Sequence, residues 1–240
     1  MAIHLFIPCL IDQFSPETGF SSLRILEKLG HTVSYSQEQL CCGQPFFKTG
    51  YWEKTRPIAK KTINNFRNAR YVVAPSGSCV NMIRHHYKEL FIDDPVWLDR
   101  AEDLSSRVFE LTEFLVKVEK IENIGGHFND TVTYHDSCQV LRGLGLSSEP
   151  RKLLKNKQGV DFIEMERSHV CCGFGGVFSF KFPHISKTMV RDKVSSILGS
   201  GAHIVTGCEI SCLMHIRGYL DRHDIPVRAM HIADILARGI

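Results

Sequence analysis

Short runs of apolar and β-branched residues alternate along the chain with longer segments whose apolar residues recur at helical spacing. The strand-like runs are residues 3–7, 32–35 and 71–74 in the first half, and 131–134, 160–163 and 204–206 in the second half. Alternation of strand and helix patterns is typical of α/β layers built on a mainly parallel sheet. The pattern therefore predicts the α/β fold class.

Each half also carries a helical pattern between its second and third strand-like runs. The first pattern has Pro57 near its predicted start, and its apolar face is formed by Ile58, Thr62, Ile63, Phe66 and Ala69. The second pattern uses Ile185, Met189, Val190, Val194, Ile197 and Leu198. A spacing of three or four residues puts such positions on one face of a helix, so we expect both faces to pack against a sheet.

The chain repeats its own pattern. Cys9 aligns with Cys138, the triplet 41–43 with 171–173, and Cys79 with Cys212. Residues 108–115 match residues 229–236 at a smaller offset, which predicts extra residues around 93–105 in the first half. Repeats of this kind indicate duplicated structural units.

We therefore predict two homologous α/β halves with mainly parallel sheets, related by a pseudo-twofold internal repeat. The first Cys-Cys-Gly domain is expected to span residues 1–122 and the second residues 130–240, because the stretch 123–130 is polar and contains glycine, as linkers do. In each half the cysteines follow the first strand, precede the middle helix and follow the third strand. Ligands gather at the carboxyl ends of strands in open α/β sheets, so one site per half is expected.

Composition narrows the function. With 43% hydrophobic and 23% charged residues, a net charge of +3 and no apolar run of bilayer length, the 240 residues predict a cytoplasmic globular protein with no membrane span and no nucleic-acid partner. Nine cysteines are unusual for a cytosolic chain, where thiols stay reduced. Metal ligation or redox chemistry is the expected explanation.

The cysteine spacing favours iron–sulphur over zinc. The two sets read Cys-x31-Cys-Cys-x36-Cys and Cys-x32-Cys-Cys-x39-Cys, whereas zinc ligands usually arrive in pairs two to four residues apart. Adjacent thiolates diverge from the backbone and reach different atoms of a cluster more easily than one ion, and the nearby glycines could offer amides to its sulphurs. Five histidines near the predicted sites could also ligate a metal or carry protons: His135, His169, His203, His215 and His231.

These motifs resemble the Cys-Cys-Gly cysteine-rich domain family, which includes the cysteine-rich subunit of heterodisulfide reductase and the glycolate oxidase iron–sulphur subunit, and in particular the lactate-utilisation protein A (LutA/YkgE) group. The resemblance covers nearly the whole chain. The matching segments are residues 6–9, 40–45, 74–79, 134–138, 171–176 and 211–216.

The resemblance implies an iron–sulphur electron-transfer subunit, an oxidoreductase component acting with partner subunits in the oxidation of L-lactate to pyruvate. The implied cofactors are clusters of the 4Fe-4S type, and the implied partners are a ferredoxin-like iron–sulphur subunit and a third lactate-utilisation subunit. The implied ligands are Cys9, Cys41, Cys42 and Cys79 in the first half, and Cys138, Cys171, Cys172 and Cys212 in the second.

The chain departs from the five-cysteine pattern of the heterodisulfide reductase relatives, which ends in Cys-x-x-Cys. Pro75 and Ser76 stand where the first half could carry a fifth thiolate, whereas the second half offers Cys208, which we add to its candidate ligands. The first site could then hold a four-cysteine cluster, zinc or no stable metal. The chain also lacks a ferredoxin cysteine run and a Gly-x-Gly-x-x-Gly motif after a strand.

Two other functions stay open at this point. One is a structural zinc site in an interaction or scaffold subunit. The other is thiol–disulfide exchange that uses Cys41 with Cys42, or Cys171 with Cys172, as a reversible pair. The phenylalanines at 174, 178, 180 and 182 are expected either to pack in the core or to form a docking surface for a partner.

Overall fold

The computed structural model describes residues 2–240, which form one four-stranded sheet in each half. The strands of the first half are β1 (Ala2–Leu5), β2 (Thr32–Ser34), β3 (Tyr71–Ala74) and β4 (Val108–Glu110), and those of the second are β5 (His127–Tyr134), β6 (Gln158–Phe162), β7 (Ile204–Gly207) and β8 (Arg228–His231). All strand pairs are parallel, in the orders β2-β1-β3-β4 and β6-β5-β7-β8. The predicted α/β fold with two homologous halves is confirmed.

The helices follow the same plan in both halves. The first half has α1 (Cys9–Phe14), α2 (Pro16–Lys28), α3 (Gln44–Lys48), α4 (Trp52–Asn65), α5 (Gly77–Asn81), α6 (Tyr87–Leu90), α7 (Pro95–Arg107) and α8 (Leu111–Glu113). The second has α9 (Ser148–Lys155), α10 (Val177–Lys181), α11 (Pro183–Gly199), α12 (Ile210–Arg222) and α13 (Ile232–Leu236). Wider π-helical turns span Met82–His86, Phe114–Val118 and Gln139–Gly143.

The strand order places the cysteine segments. In each sheet the first strand lies between the second and the third, so the chain leaves the first and third strands in opposite directions along the sheet. Such a switch point opens a crevice at the carboxyl ends of the two central strands. Cys9 and Cys79 follow β1 and β3 at this crevice, and Cys138 and Cys212 follow β5 and β7 at the equivalent one.

The stretch expected to link the halves overlaps a strand. Residues 127–130, predicted as part of the linker, belong to β5, and Asp130 pairs in register with Val160 of β6. The amino-terminal part of this strand is polar and only partly buried, so its composition resembled a linker. The extra segment predicted around 93–105 is α7, which has no counterpart between α12 and β8.

The middle helices also differ in detail from their predicted form. Helix α4 begins at Trp52, so Pro57 lies inside the helix, on its exposed side, rather than at its start. Helix α11 buries Val190, Val194 and Ile197 as predicted, but Ile185 and Leu198 are exposed. Both lie near the ends of the helix.

The hydrophobic core crosses the boundary between the halves. Its central cluster joins Leu111 and Phe114 of the first half to Val132, Leu153 and other residues of the second. Two further clusters lie within single halves, each beneath its own cysteine set. Burying a large aliphatic side chain contributes about 1.5–3 kcal/mol, so the shared cluster binds the halves to each other strongly.

Candidate metal centres

The first centre collects four free thiols from three segments. Cys9 begins α1, Cys41 and Cys42 lie in the loop before α3, and Cys79 lies in α5. The Sγ atoms of Cys42 and Cys79 are 3.3 Å apart, and Cys41 contacts both Cys9 and Cys42. All four sequence-predicted residues of the first half are therefore brought together.

The second centre repeats this arrangement. Cys138 contacts Cys171, and Cys172 contacts both Cys171 and Cys212. Cys172 and Cys212 are buried, like Cys42 and Cys79, whereas the other two thiols of each centre are half-buried. Each centre therefore has two thiols toward the core and two toward its rim.

A glycine after each cysteine pair aims a backbone amide at the centre. Gly43 N–H donates to Cys41 Sγ at 3.5 Å, and Gly173 N–H donates to Cys171 Sγ at 3.4 Å. Both glycines have positive φ, +82° and +89°, which residues with a Cβ rarely adopt. Amide donors of this kind stabilise thiolates and tune the potential of a cluster bound to them.

Close packing sets the electrostatics of the thiols. Contact with Cys42 and with Cys9 lowers the pKa of Cys41 to about 3. Contact with Cys41 and burial raise the pKa of Cys9, and contact with Cys171 and burial raise the pKa of Cys138. Four thiols so close cannot all ionise without a cation among them, and metal binding supplies that cation as the protons leave.

His135 joins the second centre. One of its ring nitrogens and the Sγ atoms of Cys172 and Cys212 lie within 4.8 Å of one another, and all three side chains are buried. Burial lowers the pKa of His135 to about 3, with a further contribution from Lys193, so the ring is neutral. Lys193, itself buried, donates to the carbonyls of Arg167 and Ser168 beside the centre.

The other candidate histidines lie elsewhere or serve structure. His215 Nε2 is 3.1 Å from Ser186 Oγ, which donates to the Gly173 carbonyl, so this pair braces the second cysteine loop. His231 accepts from Ala233 N–H at the start of α13. His203 pairs with Asp130 at the surface, and His169 is exposed.

Cys208 is not brought to the other four cysteines of its half. Its side chain is fully buried in the central core cluster, where its Sγ lies 3.3 Å from Tyr134 Oη and 3.7 Å from Thr112 Oγ1. Burial and the nearby carboxyl of Glu110 raise the pKa of the Cys208 thiol. The structure thus places it between the halves, beside Thr112 and Glu110 of the first half and Tyr134 of the second.

Glu209 occupies a position that sequence reasoning missed. It stands three residues before Cys212, as Ser76 stands before Cys79, where a Cys-x-x-Cys ending would carry its first thiol. Its buried carboxylate accepts from Ser78 N–H at 2.7 Å and from Ser76 Oγ at 3.3 Å. The repeat alignment was the signal that could have found this pair, which bonds one half to the other.

The two centres are neighbours across the pseudo-twofold axis. Helix α5, which carries Cys79, packs against the π-helical turn that follows Cys138, and a Cβ on Gly77 would lie 2.2 Å from Val140 Cγ2. Asn81 Nδ2 donates to Gln139 Oε1 at 2.7 Å, and Gln139 Nε2 lies 3.9 Å from Cys138 Sγ. A line of polar contacts therefore runs from the helix of one centre to a thiol of the other.

The phenylalanines divide into packed and exposed side chains. Phe174 packs against the core cluster of the second half and meets His215 edge to face. Phe178 is half-buried against Phe182. Phe180 and Phe182 are 84% and 50% exposed, which leaves an apolar patch at the rim of the second cysteine loop.

Among residues 2–240, no helix combines the length and apolar character needed to cross a bilayer.

Comparison with known proteins shows which family this chain is similar to. The profile of the family described as "Cysteine-rich domain" (CCG) matches residues 3–84 and again residues 132–217. The chain is 46% identical to lactate utilization protein A of an Exiguobacterium species, covering 99% of this chain and 98% of that protein. Identity to the proteins of that name is 44% for Shouchella clausii, covering 98% of both chains, and 42% for Bacillus subtilis, covering 98% of this chain and 99% of that one.

Solved structures add little. An aspartate racemase homologue from Pyrococcus horikoshii aligns with 98% of this chain and 95% of its own at 11% identity, with a TM-score of 0.36, a likeness too weak to inform function. The sequence relatives are decisive, because their identity extends over the whole chain and both cysteine sets lie within the matched segments. The chain therefore belongs to the CCG cysteine-rich domain family and, within it, to the lactate utilization protein A group.

Proposed function

We propose that the chain is an iron–sulphur electron-transfer subunit of a cytoplasmic complex that oxidises L-lactate to pyruvate. In this proposal it works beside a ferredoxin-like iron–sulphur subunit and a third lactate-utilisation subunit. The observation that carries the iron–sulphur part is the convergence of four free thiols in each half. The lactate part rests on the name shared by relatives that match over the full chain.

The residues fit such a cofactor. Cys9, Cys41, Cys42 and Cys79 would hold one cluster, and Cys138, Cys171, Cys172 and Cys212 the other. Each set offers four soft ligands, and all eight cysteines are free of disulfides. Soft thiolates select clusters of iron and sulphide over hard cations. The cluster would accept and release one electron at a time.

The chain's own residues would set the conditions for that transfer. Gly43 and Gly173 donate amides to a thiolate in each centre. Buried aromatic and aliphatic side chains exclude water from the inner pair of thiols. Lys193 brings a positive charge only to the second centre, which favours its more negative, reduced state.

Anaerobic purification followed by iron and acid-labile sulphide analysis tests the proposal. The wild-type chain should bind iron and sulphide and give an electron paramagnetic resonance signal on oxidation or reduction. Cys42→Ser and Cys172→Ser should each remove the iron of one centre and leave that of the other. Cys208→Ser is the matched control, because its thiol lies outside both sets, and it should keep the full iron content.

Complementation tests the lactate part. A strain that lacks the gene for this chain should lose growth on L-lactate. Expression of the wild-type chain or of Cys208→Ser should restore that growth, whereas expression of Cys172→Ser should not. Stoichiometric zinc in place of iron after anaerobic purification would contradict the iron–sulphur proposal and favour the scaffold role. Normal growth of the deletion strain on L-lactate would contradict the lactate assignment.

A further inference from the structure

We propose that His135 is a ligand of the second centre, which makes that centre a mixed imidazole–thiolate site while the first is built from thiolates alone. The proposal deepens the proposed function in that it distinguishes the two centres. It depends on that function only for the identity of the metal as iron.

The geometry of three ligand atoms carries the inference. One ring nitrogen of His135 and the Sγ atoms of Cys172 and Cys212 all lie within 4.8 Å of one another. Two thiolates bound to one tetrahedral ion at bond lengths near 2.3 Å sit about 3.8 Å apart, so the three atoms need only a small closure around a metal. In residues 2–240, this is the one group of three such ligand atoms that includes a histidine.

The state of the imidazole is a second, independent observation. His135 is 1% exposed, and neither ring nitrogen makes a hydrogen bond of normal geometry. Leaving a buried polar atom without a partner costs about 1–3 kcal/mol. A metal between His135, Cys172 and Cys212 would remove this cost at one nitrogen.

The fold holds the ring in this place. His135 directly follows β5, and its N–H donates to the Thr206 carbonyl of β7 at 2.8 Å, so its backbone is fixed to the two central strands. The next residue, Asp136, is gripped by both terminal nitrogens of Arg151 at 2.8 and 2.7 Å. Ligand side chains on a rigid support of this kind keep their geometry before the metal arrives.

The first half lacks the equivalent ligand. The repeat that aligns Cys9 with Cys138 aligns Phe6 with His135, and Phe6 is fully buried in the core cluster of the first half. The pair of inner thiols is otherwise the same, with Cys42 and Cys79 matching Cys172 and Cys212. A buried phenylalanine and a buried histidine at one position of two equal folds indicate a chemical difference between the centres.

Cobalt(II) titration tests the ligation without iron. The reduced, metal-free Cys42→Ser chain lacks a ligand of the first centre. Its second centre should bind cobalt with the absorption spectrum of a tetrahedral site. Adding His135→Asn should weaken that binding by roughly 100-fold or more, since even groups that only support a ligand account for 10–100-fold. His135→Cys should keep tight binding with a stronger sulphur charge-transfer band. His203→Asn, which changes an exposed histidine paired with Asp130 at the opposite end of β7 from the cysteines, should leave the affinity unchanged.

Pulsed electron paramagnetic resonance on the intact, iron-containing wild-type chain gives a second reading that does not depend on the Cys42 variant. A chain labelled with ¹⁵N-histidine should show a strong nitrogen coupling that His135→Asn removes and His203→Asn keeps. Bound iron without that coupling, together with cobalt affinity unaffected by His135→Asn, would overturn the inference and leave the proposed function standing. Cobalt binding that depends on His135, in a chain that binds no iron, would support His135 as a ligand and contradict the iron–sulphur part of the proposed function.

Discussion

At the scale of single residues, the glycine that follows the second cysteine pair has no room for a side chain. Gly173 has a φ of +89°, and a Cβ there would lie 2.8 Å from the Ser186 carbonyl and 2.8 Å from Met189 Cβ. Neither atom can yield easily, because one belongs to the backbone of α11 and the other stands next to it. The position therefore requires glycine for both its conformation and its space.

Gly173→Ala should lower the free energy of unfolding by about 1–3 kcal/mol and should reduce the iron retained by the second centre, because the amide can no longer point at Cys171 without strain. Urea unfolding and iron analysis measure the two effects. Gly199→Ala is the control, since open space surrounds Gly199 at the end of α11. Equal stability of the two variants would refute this account of the loop.

Lys193 should govern the potential of the second centre. Its counterpart in the first half is Thr62, which occupies the same buried turn of the middle helix. Lys193→Met keeps the length of the side chain but removes the positive charge, so reduction of the second centre should become harder and its midpoint potential more negative. A redox titration followed by electron paramagnetic resonance reads this shift. Lys187→Met, on the exposed face of α11, should leave both potentials in place.

At this scale, the sequence alone predicted the cysteines of the candidate centres but did not single out the residues around them. The eight repeated cysteines could be found because matching positions recur in both halves. His135 was one of five histidines near the expected sites, and only burial and distance separated it from the others. Lys193 lies inside a helical pattern and Glu209 directly before a helix, and both were missed because a charged residue in either place reads as a solvent-facing one until packing shows that it is buried.

At the scale of elements, one arginine ties together three segments around the second centre. Arg151 of α9 donates to Asp136 after β5 and to Glu164 after β6, and its guanidinium lies over the ring of Tyr134. These pairs hold its charge, so its pKa is raised despite burial. The arrangement fixes the segment that runs from His135 to Cys138.

Arg151→Lys should destabilise the protein by about 1–3 kcal/mol, because an ammonium cannot replace the two-pronged contact and leaves the buried Asp136 carboxylate partly unpaired. Thermal or urea unfolding measures the change. Arg191→Lys alters an exposed pair with Asp192 and should change the free energy of unfolding by less than about 0.5 kcal/mol. The idea fails if the two lysine variants are equally stable.

Periodicity predicted six of the eight strands but not β4 and β8. These strands have three and four residues, and each runs directly into a short helix, α8 or α13. Windows so short carry no clear alternation of apolar and polar residues. The repeat between 108–115 and 229–236 marked both segments as equivalent, yet their conformation depends on pairing with β3 and β7, which only the assembled sheet supplies.

At the scale of the whole molecule, the contact between halves encloses a carboxyl group that should make stability depend on pH. Burial raises the pKa of Glu110 to about 7, and the Cys208 thiol of the other half lies beside it. Because the folded pKa lies above the unfolded value near 4.5, the folded state holds its proton more tightly. Its contribution is therefore complete below pH 4.5 and is lost as pH rises to 7.

Glu110→Gln, which copies the protonated carboxyl, should remove this loss. The difference in unfolding free energy between wild type and Glu110→Gln should fall by up to about 3 kcal/mol between pH 4.5 and 7, measured by urea unfolding of the metal-free chain. Glu102→Gln, an exposed change on α7, should show a flat difference over the same range. A flat difference for Glu110→Gln as well would mean that the carboxyl ionises freely in the folded protein.

The shared core also bears on the predicted domains 1–122 and 130–240. Their boundaries stay a prediction, but the central cluster draws side chains from both, and β5 begins before residue 130. Expressed alone, fragments 1–122 and 127–240 should each expose this cluster, bind a hydrophobic dye and lose cooperative unfolding, whereas co-expression should restore both properties. Cooperative unfolding of either fragment by itself would show that the halves are independent domains.

The contact between Asn81 and Gln139 has a consequence for the path of an electron. It connects the helix that carries Cys79, a thiol of the first centre, to a side chain that touches Cys138, a thiol of the second. Tunnelling favours short routes through bonded and hydrogen-bonded atoms over routes through space. If both centres hold clusters, an electron that enters at one has a bonded route to the other within the same chain, so donor and acceptor proteins need not dock on the same face.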